Sequence, residues 1–114
     1  MSLQLNQVSL SALATVSEDG RHLSRVVSFA DGHQKVLGCL LPCINENHEY
    51  IFELGESAER IEITAGECAV RVLSGTDDES TEYYREGQSF VVSAGAKFYL
   101  TCNGVVQYIR HFEG

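Results

Sequence analysis

The sequence predicts an all-β fold built as one small sandwich or barrel. Three observations carry this expectation. Short runs rich in β-branched and aromatic residues recur along the chain, punctuated by Gly, Asp, Asn and Ser. Helical periodicity is weak throughout. Pro42 is the lone proline, which suits continuous sheet, because a proline within a strand removes a ladder hydrogen bond. The 114 residues are enough for one domain with one core, and no repeat, linker or low-complexity tract divides them.

Residues 1–18 carry no strong pattern and read as a short helix, an arm on a partner subunit or a frayed end. Residues 1–20 are therefore set apart as an N-terminal extension, and residues 21–114 as the barrel domain. HLSRVVSFADGHQKVLGCLLP holds two strand-like runs, with Asp31-Gly32 between them as a hairpin signal, since glycine takes positive φ cheaply. CINENHE, residues 43–49, is polar and reads as a loop. EYIFEL, RIEITAG and ECAVRVLS follow as strands. GTDDES then reads as a solvated turn, because it lacks the ligand spacing of a calcium loop. STEYYREG, QSFVVSAG, KFYLTCNG and VVQYIRHF complete the chain, with Asn103-Gly104 as a second hairpin signal.

Strand alternation assigns side chains to faces. Tyr50, Phe52 and Leu54 share one face, as do Phe98, Leu100 and Cys102, and Tyr108, Arg110 and Phe112. Cys68, Val70 and Val72 oppose Ala69, Arg71 and Leu73, which points Arg71 toward solvent. Glu59 precedes Ile61 and Ile63 on an inward face. A carboxylate among apolar neighbours must be paired or hydrogen-bonded, or its pKa rises.

The formal net charge of −8 argues against nucleic acid as a partner, because a phosphate backbone demands a basic face. It leaves room for a single phosphate held by one or two arginines. No run approaches the roughly 20 apolar residues of a membrane span, and the first residues lack the pattern of a signal peptide. A cytoplasmic protein with no membrane association is expected. Reduced thiols are then expected at Cys39, Cys43, Cys68 and Cys102, whose spacing matches no zinc or CxxC motif. His22, His33, His48 and His111 show no metal-ligand spacing and read as scattered surface or turn histidines.

Two stretches resemble the signatures of the cupin barrels. Glu59 stands seven before Gly66, the spacing of E-x6-G in the first signature. Gly87 and Gly95 keep the glycine frame of the second, G-x5-P-x-G-x2-H-x3-N. The ligand positions are changed. Phe52, Glu53, Leu54 and Gly55 occupy the region of the paired histidines, and Phe98 replaces the histidine of the second signature. A lone carboxylate with soft neighbours is a poor divalent site. The resemblance implies a single-domain cupin-like β-barrel, the double-stranded β-helix, and the missing ligands imply no metal and no cofactor.

A closer resemblance runs over residues 24–112. SRVVSFADGHQKVLGCLLP, EYIFE, ERIEITAGECAVRVL, YYREGQSFVVSAGAKFYL and QYIRHF, in that order, are similar to the small cupin-like pyrimidine/purine nucleoside phosphorylases. The resemblance implies a homodimer that converts purine and pyrimidine nucleosides plus phosphate into free base and ribose 1-phosphate. Several family positions differ here: Ala58 and Ser93 replace prolines, Ala96 replaces a serine, and Arg110 replaces the cysteine of the closing Y-x-C-x-Y.

Cleaving a ribosyl C–N bond passes through an oxocarbenium-like state, as glycoside cleavage does. Glu59 is the candidate to accept the ribose hydroxyls or to stabilise charge at the anomeric carbon; a purely structural carboxylate is the other reading. Arg25 and Arg110 are the candidates for phosphate, because a planar fork matches two oxygens. Catalysis is therefore assigned to Glu59 and Arg25, and substrate binding to Tyr50, Phe52, Phe98, Tyr108 and Arg110. The rings would stack on a base of either type, or simply fill the core. A barrel of this kind that binds a small ligand without chemistry is the alternative.

Overall fold

The computed structural model describes residues 8–10, 15–73 and 80–113. The strands are β1 (Val8–Leu10), β2 (Thr15–Ser17), β3 (His22–Phe29), β4 (Gln34–Leu40), β5 (Tyr50–Glu53), β6 (Ala58–Ala65), β7 (Glu67–Leu73), β8 (Thr81–Arg85), β9 (Ser89–Val92), β10 (Lys97–Thr101) and β11 (Val106–Glu113). Every run expected from residue 22 onward forms a strand. Two sheets face each other without closing into a hydrogen-bonded ring among the described residues. The larger has the order β1-β3-β4-β11-β6-β9, with β2 also on β3, and the smaller has the order β5-β10-β7-β8.

The N-terminal extension is not a separate arm over its described part. Val8–Leu10 and Thr15–Ser17 both pair antiparallel with β3 and lengthen the large sheet. The polar turn expected at residues 75–80 lies outside the described residues except for Ser80. Asp31-Gly32 does form a hairpin: Gly32 has φ +92°, and the Asp31 carboxylate accepts from the His33 N–H at 3.0 Å. Asn103-Gly104 does not. β10 and β11 belong to different sheets, so the turn carries the chain between layers rather than between paired strands. The local hairpin signal is real, but pairing is decided by which sheet each strand joins.

The core lies between the sheets, and alternation builds it. β5 reads buried–exposed–buried–exposed from Tyr50, and Ile61, Ile63, Val70, Phe98, Leu100 and Tyr108 all point inward. Gly38 is the one place where the large sheet must lack a side chain. It pairs directly with Tyr108 on β11. A Cβ at Gly38 would run into the Tyr108 ring. The missing Cβ lets that ring lie over β4 and reach His22 on β3.

Overpacking a filled interior costs about 1–3 kcal/mol. Gly38→Ala is therefore expected to lower the unfolding free energy by about 2 kcal/mol, read by urea denaturation. Gly55→Ala, with open space around it, should change stability by less than about 0.5 kcal/mol. Equal effects of the two would show that the close approach of Tyr108 does not constrain the sheet.

Candidate active site

Glu59 is the one buried charged residue among those described, at 2 % exposure. It points inward from β6, with Val92 and Phe112 as its cross-strand neighbours. Arg110, one inward step along β11 from Phe112, reaches it diagonally. Its Nε donates to Oε1 at 2.6 Å and its Nη2 to Oε2 at 2.9 Å. This is the bidentate fork geometry, the strongest pairing a carboxylate finds among side chains. Removing Glu59 from water without it would cost several kcal/mol. The pair is asymmetric: the Arg110 side chain is 21 % exposed and that of Glu59 is 3 % exposed. The carboxylate is sealed while the guanidinium is partly open to solvent, and Val26 and Phe112 on the same side of the sheet are exposed.

Beneath the pair lies an aromatic floor. Phe52 and Phe98 are direct cross-strand partners on β5 and β10, stacked at 4.6 Å with an interplanar angle of 2°. The Arg110 guanidinium carbon stands 5.8 Å from the Phe52 ring centre, within cation–π range. Tyr108 meets Phe52 edge-on at 5.5 Å. Its hydroxyl shares a hydrogen bond of 2.5 Å with His22 Nε2. Burial pushes the Tyr108 phenol well up, so it stays protonated at neutral pH.

Glu59, Arg110, Phe52, Phe98 and Tyr108 therefore converge. Tyr50 is further back: its hydroxyl donates to the Leu41 carbonyl at 2.7 Å, which anchors the loop after β4. Arg25 does not join them. It pairs with Leu37, which pairs with Ile109, and that row lies on the face opposite Tyr108 and Arg110. The inward residue beside it is Val26, so the sheet itself stands between Arg25 and Glu59. Arg71 points outward as expected, bonded to Glu49 at 2.9 Å and stacked 4.4 Å from the Tyr99 ring centre.

His22 is the residue that sequence reasoning missed. It is not a surface histidine but a half-buried member of the aromatic floor, 5.2 Å from the Phe52 ring. The signal available was its place on the alternation His22, Ser24, Val26, which is too polar to read as inward. His33 does lie in an exposed turn, bonded to Asp31. Among the described residues no three His, Cys, Asp or Glu side chains converge as a metal site. The cupin ligand positions hold instead a phenylalanine stack and a carboxylate paired with arginine.

The family model for pyrimidine/purine nucleoside phosphorylase matches residues 13–112. Pyrimidine/purine nucleoside phosphorylase 1 of Psychrobacter cryohalolentis is 47 % identical over 111 residues, covering 97 % of this chain and 96 % of its own. The crystal structure of a protein of unknown function from Acinetobacter sp. ADP1 matches with a TM-score of 0.82 at 33 % identity, over 95 % of this chain and 96 % of that one. The Drosophila melanogaster CENP-C cupin domain matches in fold alone, with a TM-score of 0.69 at 12 % identity over 95 % of this chain and 77 % of that one. The fold is a cupin fold, and the chain belongs to the pyrimidine/purine nucleoside phosphorylase family.

Proposed function

We propose that this chain is a broad-specificity nucleoside phosphorylase that works without a metal or cofactor, with phosphate as co-substrate. The observation that carries the reading is the pairing of Glu59, the surviving cupin ligand position, with Arg110. In a cupin metal site the cation and its carboxylate come as a unit; here Arg110 supplies a fixed positive charge to the surviving carboxylate. The pair is neutral overall, so a phosphate anion approaching Arg110 is not repelled by an isolated Glu59. Phosphate adds to the anomeric carbon as the C–N bond breaks, and the base leaves with the bonding electrons. Glu59 faces the positive charge that develops on the sugar. The Phe52–Phe98 stack and Tyr108 are buried behind the pair, so they support the site rather than stack on a base, and the two phenylalanines bring no donor that would discriminate purines from pyrimidines.

A cytoplasmic location is part of the proposal, since the spacing of the four cysteines suits no disulfide framework of a secreted domain. No described helix is long and apolar enough to cross a membrane. A second copy of the chain is the proposed partner. The outer face of the large sheet exposes Leu23 and Leu37. One row across it reads Arg25, Leu37, Ile109, Glu62. A two-fold axis parallel to the strands would set Arg25 against Glu62 of the partner subunit and bring the apolar centres together.

Purified protein with inosine or uridine should release free base and ribose 1-phosphate only when phosphate is present, and with undiminished rate in a chelator. Base release absent across a nucleoside panel would instead support the ligand-binding alternative. Breaking the pair with Glu59→Ala should cost about 2–3 kcal/mol of stability, because Arg110 loses its partner in a half-buried place, and should lower kcat/KM at least ~100-fold. The double variant Glu59→Leu with Arg110→Met should recover most of the stability and none of the activity. Recovery of both would make the pair structural and the active site elsewhere. For the dimer, Leu37→Glu should convert the species seen by light scattering from dimer to monomer; a dimer that persists would place the interface on another face.

A further inference from the structure

At the end of the sheets away from Glu59, a cleft of about 910 Å³ opens among the turns that follow β6, β8 and β10. Cys68 and Cys102 lie in its wall, with Tyr84 and Arg85 beside them. Cys43, which begins the CINEN loop, is held against Cys102. The Cys43 N–H donates to the Cys102 carbonyl at 2.9 Å, and the Cys102 N–H donates to the Cys43 Sγ at 3.4 Å. The Cys102 thiol donates to the Leu41 carbonyl at 3.6 Å. A direct backbone hydrogen bond holds two residues within the span that a disulfide bridges, roughly 4.4–6.8 Å between Cα atoms. Two cysteines 59 apart in sequence are thus placed to join without moving a strand. Cys39 is not in this group; it faces outward beside Leu23 and Arg25.

We propose that Cys43 and Cys102 form an oxidative modification site, converted to an intramolecular disulfide by a small disulfide of the glutathione class. The first attack falls to Cys43, the less buried of the two. Its thiolate adds to one sulfur of the small disulfide, the S–S bond breaks, and one small thiolate leaves and takes up a proton. Cys102 then gives its proton to water and attacks the Cys43 sulfur of the mixed disulfide, expelling the second small thiol. The small disulfide is reduced to two thiols and the protein pair is oxidised. Cys43 is partly exposed and so can meet the reagent, and the cleft beside Cys102, with the exposed Arg85 in its lining, leaves room for the reagent's carboxylates. Burial, with the neighbouring charges of Cys43 and Cys68, pushes the Cys102 thiol up to about 12. The closing step is therefore slow at neutral pH, and the resting protein keeps its thiols.

The test exposes the full-length native protein to oxidised glutathione and maps its peptides by mass spectrometry. A Cys43–Cys102 peptide is expected, forming about tenfold faster for each pH unit between ~7 and ~9, as the thiolate fraction grows. The thermal midpoint should rise by about 10 °C, because the bond closes a long loop, and reductant should reverse it. Cys39→Ser should change none of this. Cys102→Ala should stop at a glutathione adduct on Cys43. The proposal is overturned if the native wild-type chain yields no Cys43–Cys102 peptide, or if another pair forms in its place; that map needs no variant to fold.

Discussion

A carboxylate that water cannot reach must be given a cation, and the interior of this protein is arranged around that requirement. Glu59 is placed inward by the same alternation that buries Ile61 and Ile63, so the sheet offers it no escape to solvent. A metal would meet the need where histidines stand nearby to share it. Phe52 and Phe98 stand there instead, and neither can hold an ion. The remaining solution is a side-chain cation from the adjacent strand. Arg110 fits because its fork meets both oxygens from a diagonal position while it stays partly exposed. Lysine at that position would give a point charge and lose the second bond.

That solution shapes the packing below it. With no coordination sphere to accommodate, the floor closes into stacked rings, and Phe98 is wholly buried. Tyr108 is drawn in by the same strand that carries Arg110, two residues earlier on the same face. Its ring needs room over β4, which Gly38 provides, and its hydroxyl needs a partner, which His22 provides. Carboxylate, cation, rings and histidine are thus consecutive consequences of two inward-facing strand stretches, 59–63 and 108–110, meeting in register. A β-bulge between Gln107 and Tyr108 sets that register. Without its shift, the face that carries Tyr108 and Arg110 would not line up with Ile63, Ile61 and Glu59.

Much of this was legible in the sequence because alternation is a local property. β5, β6, β7 and β10 each have one parity more apolar than the other, and all four turn that parity inward, Glu59 with it. β3 is the exception, and the misplacement of Arg25 follows from it. Its two parities are His22, Ser24, Val26 and Leu23, Arg25, Val27, each mixed, so neither announces the core. What decides between them is the neighbour: Gly38 and Tyr108 fix the face of Ser24 through the ladder, and that pairing is non-local. The same limit hid His22 and misled the reading of Asn103-Gly104. A turn signal marks where the chain reverses, while strand partners are chosen by the whole sheet.

Arg110 also separates this chain from the pattern it resembles, where a cysteine holds the corresponding place in the closing motif. A cysteine cannot neutralise Glu59 at neutral pH, since its only charged form is negative. A carboxylate beside a cysteine would need its cation from another residue. In this chain the cation is built in and already bonded to both carboxylate oxygens before any ligand arrives. The energetic consequence is pre-organisation: the two charges are already fixed against each other, with Glu59 desolvated, so under the proposed function ligand binding need not order them. The same fixation has a cost, because an Arg110 committed to Glu59 has fewer N–H groups left for phosphate.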